Sequence, residues 1–271
     1  MSRIARTYIK TTSLSYYHII SHLQDELPML KPSEKEKLLS LLQKLSLTFF
    51  VKILSYAIMG NHFHILVKVQ PPPDNLPDQE ILKRALLLFR PSTVTSHSTA
   101  WWRHRLIDIS SFMKELNQRF SQWYNLRYGR KGHFFRDRFR SIRIQDQRAS
   151  LAVSLYIDLN PVRAGLSLNI DGYRWNSYSS RKAGMAGWML PLKEELGISL
   201  RDYSEALEEA GKFEKEGKGK VKEAQRPFLL HALTYRAEGV VYGAEEFVLN
   251  FLTRFPFRRR YKFIQEGMAL A

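Results

Sequence analysis

The chain of 271 residues contains no cysteine. That absence removes disulfide frameworks, thiolate metal sites and cysteine nucleophiles together, and leaves eight histidines as the strong nitrogen donors. Any metal centre must therefore combine imidazole with oxygen ligands. Long apolar runs are missing too: no stretch reaches the roughly 18 residues of a spanning helix. The opening "MSRIARTYIKTTSLSYYHIISH" has no uninterrupted apolar segment followed by a small-residue cleavage site. These absences predict a cytoplasmic chain with no membrane partner. Acidic residues are scarce, 26 against 42 Lys and Arg, for a net charge of +16. A surplus of that size is most simply matched by a polyanion, since each neutralised phosphate releases condensed counterions.

What is present is an ordinary globular composition, 44% hydrophobic, enough for a packed core. "SLSYYHIISH", residues 13 to 22, reads as a strand, and "KPSEKEKLLSLLQKL", residues 31 to 45, as an amphipathic helix with Ser33 as its cap. "SLTFFVKILSYAIM" and "HFHILVKV" read as two strands joined at Gly60 and Asn61. Residues 70 to 106 begin with the proline-dense "QPPPDNLPDQ", pass through a short helix "QEILKRALLLF", and end in the polar "RPSTVTSHSTA", the pattern of an insertion.

A helix over 107 to 129, capped by Ser110 or Ser111 and stopped by Gly129, is followed by a strand in "GHFFRDRFRSIRI". The next helix, "QRASLAVSLYIDLN", is expected to stop at Asn160, because Pro161 disfavours helix in the residue before it. The order β α β β α β α predicts an α+β fold with a ferredoxin-like antiparallel sheet and helices on one side. It occupies residues 1–180, and a mostly helical, basic C-terminal extension spans 181–271.

Within "YAIMGNHFHILVKV", strand alternation puts His62, His64, Leu66 and Lys68 on one face and Phe63, Ile65, Val67 and Val69 on the other. Two imidazoles side by side can share a cation, although an arbitrary His-x-His is more often a pair of hydrogen-bonded strand histidines. In "LYIDLNP" Tyr156 and Asn160 are four apart and stack on one helix face. A tyrosine one turn before an amide is positioned to attack a phosphate held by a metal on that amide. The alternative is a core tyrosine with its hydroxyl at the surface.

The segments "MGNHFHILVKV", "FMKELNQRFSQWYNLRYGRKGHFFRDRFRS", "YIDLNPVRAGL" and "YRWNSYSS" resemble the single-tyrosine HUH transposases, in the branch related to REP-associated tyrosine transposases. Several motifs occur in the family's order across most of residues 1 to 180. Gly60 stands where the family usually has proline, and Asp158 where it often has histidine or another polar residue. The resemblance implies that His62 and His64 are metal ligands, with Asn160 at the position of the third, and that Tyr156 is the nucleophile. It implies metal-dependent cleavage and rejoining of single-stranded DNA through a 5′-phosphotyrosine, including at hairpin-forming repeats. Imidazole with an amide oxygen suits Mg²⁺ or Mn²⁺.

Lys68, Arg127, Arg130, Lys131, Arg136, Arg138, Arg140, Arg143 and Arg163 are the candidate DNA contacts. Arg136, Arg138 and Arg140 are expected to alternate onto one strand face, with Tyr128, His133, Phe134 and Phe135 as stacking surfaces. A noncatalytic single-stranded nucleic-acid-binding module on the same fold is the competing reading. A His-x-His metal hydrolase ranks below both, for lack of further ligands downstream. Monomer and homodimer both remain open.

Overall fold

A computed structural model describes residues 14–216, 241–244 and 246–247. Strand β1 (Ser15–His22) leads into helix α1 (Pro32–Thr48), and β2 (Val51–Ile58) and β3 (His62–Val69) form the hairpin. Its turn is closed by Met59 N donating to His62 O at 2.9 Å. Pro32 begins α1, and Lys31 rather than Ser33 is the cap; the Lys31 amide donates to Glu34 Oε2 at 2.7 Å. Proline pre-sets the first-turn backbone, and Glu34 reaches back three residues to satisfy the amide before it.

Residues 70 to 106, read as an insertion, are mostly helical after their proline-dense start. Helices α2 (Asp78–Leu86), α3 (Pro91–Thr95) and α4 (Thr99–Leu106) occupy it, so the polar stretch from 90 on is mostly helical. Trp102 anchors it, fully buried, with Nε1 donating to Val94 O at 3.0 Å. One buried aromatic with a satisfied donor outweighs the weak propensities of its serine- and threonine-rich neighbours.

Helix α5 (Ile109–Tyr128) is capped by Asp108, whose carboxylate accepts from the Ser110 and Ser111 amides at 2.9 Å each. The two serines are therefore the capped residues, not the caps. Gly129, at φ 61°, ends the helix in the left-handed region. Only the end of the next basic segment is a strand, β4 (Arg140–Ile144). Helix α6 (Gln147–Arg163) continues past Asn160 through Pro161, and α7 (Ser177–Lys182), α8 (Leu192–Leu196) and α9 (Leu200–Glu216) follow. Proline this near a helix end forfeits one hydrogen bond, and the burial of Leu159 and Pro161 offsets that loss.

The sheet runs β2-β3-β1-β4-β5, antiparallel except where β5 (Val241–Tyr242) lies parallel to β4. The α+β class and the ferredoxin-like order of the first four strands agree with the expectation. Helices α1 and α5 cover one face, packing Leu38, Leu42, Phe112 and Leu116 against Ile19, Phe63, Ile65 and Val67. Helix α6 differs from the one-sided arrangement. It lays Ala149, Val153 and Ile157 on the opposite face, against Ile20, Leu66 and Ile142.

The far side of α6 is covered in turn, with Leu151, Leu155 and Leu159 meeting Tyr203 and Leu207 of α9. A helix clasped between a sheet and another helix is apolar nearly all round, so it lacks the one-sided stripe of a surface helix. The described part of the C-terminal region thus packs directly on the tyrosine-bearing helix. The rest of the 181–271 extension lies outside the described residues.

Candidate active site on the histidine face

Antiparallel register places His22 opposite His62 and Ile20 opposite His64, so the α6 side of the sheet carries His18, His22, His62 and His64 together. His18 Nε2 and His64 Nδ1 share a hydrogen bond at 2.9 Å, with ring centroids 5.1 Å apart. His22 stacks on His62 at 5.1 Å, and His62 meets His64 edge-on at 5.0 Å. His62 Nδ1 pairs with Asn61 Oδ1 at 2.8 Å. His18 and His64 are buried, whereas His22 and His62 are half-buried.

Tyr156 descends onto this layer from α6, its ring edge-on to both His18 and His64 at 6.0 Å. Arg163, almost two turns later, lies with its guanidinium 5.0 Å from the Tyr156 ring centre. A cation over an aromatic face is attracted to the ring quadrupole, so Arg163 and Tyr156 hold each other in place. The structure thus brings His62, His64 and Tyr156 into one cluster. Asn160 follows on the next turn, and its amide turns back on the helix, Nδ2 donating to Tyr156 O at 3.1 Å.

Burial controls the protonation of the cluster. Desolvation, reinforced by the Arg140 charge, pushes His18 down to about 3. Desolvation and then His22 push His62 down to about 4, and His64 is held well below the ordinary histidine value by burial and its three imidazole neighbours. Neutral imidazoles are the form that binds a metal. Among the described residues no three histidine or carboxylate groups gather closely enough to hold a metal. Two neutral imidazoles, from His62 and His64, and the amide oxygen of Asn160 are donor types that suit a cation of the Mg²⁺ or Mn²⁺ kind.

The candidate DNA contacts separate into groups. Arg140 is exposed on the histidine face, opposite Ile20, and its charge acts on both His18 and His22. Arg136 is also beside His22: its amide donates to His22 O at 3.1 Å, and its side chain pairs with Asp25 at 3.1 Å. Arg138 is exposed nearby. Because residues 136 to 139 are outside any strand, the expected alternation of Arg136, Arg138 and Arg140 does not form.

Arg127, Arg130 and Lys131 gather at the end of α5, where Arg127 and Arg130 lie over Trp123 and Tyr124 at 5.5 and 5.9 Å. Arg143 points to the other sheet face, donating to Tyr17 Oη at 3.2 Å. Lys68 is held by Glu195 at 2.8 Å and is 12% exposed, so its ammonium is engaged within the fold. Of the stacking candidates, Phe134 is core, packed on Phe120 and Tyr124. An open cleft of about 710 Å³ lies between α5 and residues 133–139, lined by Lys114, Asn117, His133, Phe135, Arg136 and Arg138 among others.

His18 and His22 belong to the histidine cluster, and the strand reading of "SYYHIISH" left them unused. Their spacing of four puts them on one strand face, a signal present in the sequence, but only pairing with β3 reveals which histidines they meet. Asp158 is another residue left unused. It is fully buried beside the tyrosine turn, accepting from Ser177 Oγ at 2.7 Å, the Tyr178 amide at 3.0 Å and Tyr203 Oη at 2.7 Å. Burial raises its carboxyl to about 6 against those donors, and the three bonds tie α6 to α7 and α9.

Sheet and cluster together define a class, an α+β chain with paired imidazoles on an interior strand and a phenol on the helix covering them. Residues 11–75 match the family of IS200-like transposases. That span covers β1 to β3 and all four histidines of the cluster; Tyr156 and Asn160 lie beyond it. A solved structure of a REP-associated tyrosine transposase bound to a REP hairpin is similar over 74% of this chain and 93% of its own, at 15% identity and a TM-score of 0.46. No curated protein sequence matches the chain. Among the described residues no helix is long and apolar enough to cross a membrane.

Proposed function

We propose that the chain is a metal-dependent transposase that cleaves and rejoins single-stranded DNA through a 5′-phosphotyrosine on Tyr156. The observation that carries this reading is the half-buried Tyr156 ring against His64 and His18 at 6.0 Å, which unites elements far apart in sequence. The match of residues 11–75 to IS200-like transposases supports it independently.

His62, His64 and Asn160 would hold the cation, Mn²⁺ suiting imidazole better than Mg²⁺. When bound, it supplies charge neutralisation at the scissile phosphate and at the departing 3′ oxygen. Tyr156 Oη gives its proton to solvent and attacks phosphorus. The P–O3′ bond breaks, leaving the 5′ phosphate on the tyrosine and, after protonation, a free 3′-hydroxyl. Attack by another 3′-hydroxyl reverses the step, so strand joining needs no nucleotide cofactor. Arg163 braces the Tyr156 ring, and Arg140 and Arg136 flank the histidines where the DNA backbone would approach. Hairpin-forming repeats are the proposed substrates, and the cleft beside Arg136 offers Phe135 and cationic walls to unpaired nucleotides.

A second reading, a noncatalytic nucleic-acid-binding module, is favoured by the Asn160 amide bonding back to its own helix. Incubation with labelled single-stranded DNA, hairpin and linear, in Mn²⁺ separates the two on a denaturing gel. The transposase reading predicts a protein-linked band that EDTA abolishes. Salt-sensitive binding with no linked band on any substrate favours the module.

A further inference from the structure

Each of the two proposed ligand histidines has its Nδ1 within hydrogen-bond distance of a side-chain partner. His64 Nδ1 stands 2.9 Å from His18 Nε2, and His62 Nδ1 stands 2.8 Å from Asn61 Oδ1. The Asn61 oxygen is an acceptor, so the His62 contact requires a proton on Nδ1. The His18–His64 contact admits either direction. One direction puts the His64 proton on Nε2 and removes that nitrogen from metal binding; the other leaves Nε2 with its lone pair.

We infer that His18 and Asn61 are positioning residues, which hold His64 and His62 in the Nδ1–H tautomer so that both Nε2 lone pairs are directed to one cation. The inference deepens the metal-dependent reading above and rests on it for its purpose. His18 is suited to the task, since it is fully buried, its ring is stacked on His64, and its strand neighbour Ile142 is buried beside it. With His64 Nδ1–H donating, His18 Nε2 is the acceptor and the His18 proton sits on Nδ1. A ring fixed by such an outer contact cannot swing away from its metal, and the loss of such contacts typically weakens metal affinity 10–100-fold.

The acceptor here is a neutral imidazole, where a carboxylate or carbonyl is more usual. It orients His64 without adding negative charge. A cation bound to His64 thereby keeps more of its own charge for phosphate oxygens.

The test begins with long-range ¹H–¹⁵N correlation spectra of the metal-free full chain, which distinguish histidine tautomers directly. His18, His62 and His64 are expected as Nδ1–H. An Nε2–H pattern for His64 overturns the inference whether or not any variant folds. Mn²⁺ affinity then separates a positioning role from a packing role. His18→Gln puts an amide oxygen near the place of Nε2 and is expected to stay within about threefold of the unaltered protein. His18→Asn ends short of it and is expected to lose tenfold or more.

Equal Mn²⁺ affinity in Gln and Asn variants of matched thermal stability contradicts the inference alone. No Mn²⁺ binding by the unaltered protein overturns the metal reading and the inference with it. The expected tautomers and Mn²⁺ binding without any DNA adduct leave the inference standing and reject the transposase reading.

Discussion

The two faces of β3 are built from the same eight residues and do opposite things. Phe63, Ile65, Val67 and Val69 are sealed beneath α1 and α5 in an uninterrupted apolar layer. His62 and His64 turn the other way, into a layer that α6 covers with Tyr156. Both faces bury side chains, but only one buries polar groups, the buried His18 and His64 imidazoles being kept neutral and hydrogen-bonded to each other. A packed face contributes stability, whereas the other converts part of that stability into an arrangement of lone pairs.

Truncation on the sealed face gives the largest expected effect of the stability series. Phe63→Ala leaves a cavity in the core and should cost about 3–5 kcal/mol in chemical denaturation. The pH dependence of stability is the next largest. His18, His62 and His64 have folded values below the ordinary 6.5, so the unfolded chain takes up protons that the fold refuses, and stability falls as pH drops below about 6.5. Asp158 acts in reverse. Its folded value, raised from 3.8 to about 6, means the fold holds a proton the unfolded chain lacks, so its contribution improves as pH falls through that window.

Asp158→Asn removes this opposing contribution, of about 3 kcal/mol at most. Denaturation midpoints measured from pH 7 to 4 should therefore fall more steeply in the variant than in the unaltered chain. A parallel pair of profiles would show that Asp158 does not titrate there. His62→Ala, at a half-buried position, should cost less than about 1 kcal/mol of stability while removing Mn²⁺ binding measured calorimetrically. Arg136→Ala is the smallest. Its exposed pair with Asp25 is worth under about 1 kcal/mol. The salt dependence of single-stranded DNA binding should nevertheless lose roughly one unit of slope.

The same contrast explains what could be read in advance. Alternation alone separates Phe63 and Ile65 from His62 and His64, because side-chain period on a strand is local information. The spacing of Tyr156 and Asn160 is local too, and the helix that carries them runs through both. What escaped was set by distant partners. His18 and His22 acquire meaning only through the β1–β3 register, and Lys68 is claimed by Glu195 from α8. Pro161 is tolerated because α6 is buried on two sides, and the basic run before β4 is held as irregular backbone, one short bridge joining Leu23 to Phe135. Cap assignments erred by a few residues for a related reason: a carboxylate outcompetes the serine hydroxyls, as Asp108 does at α5.

The central claim is that the histidine face exists to serve Tyr156, and a covalent trap tests it most directly. The unaltered chain and Tyr156→Phe are each incubated with labelled hairpin and linear single-stranded DNA in Mn²⁺, denatured, and analysed for protein-linked label. The account predicts a linked band from the unaltered chain, with the label on Tyr156 by peptide mapping, and none from Tyr156→Phe despite equal DNA binding. A denaturation-resistant adduct of undiminished yield in Tyr156→Phe would contradict it.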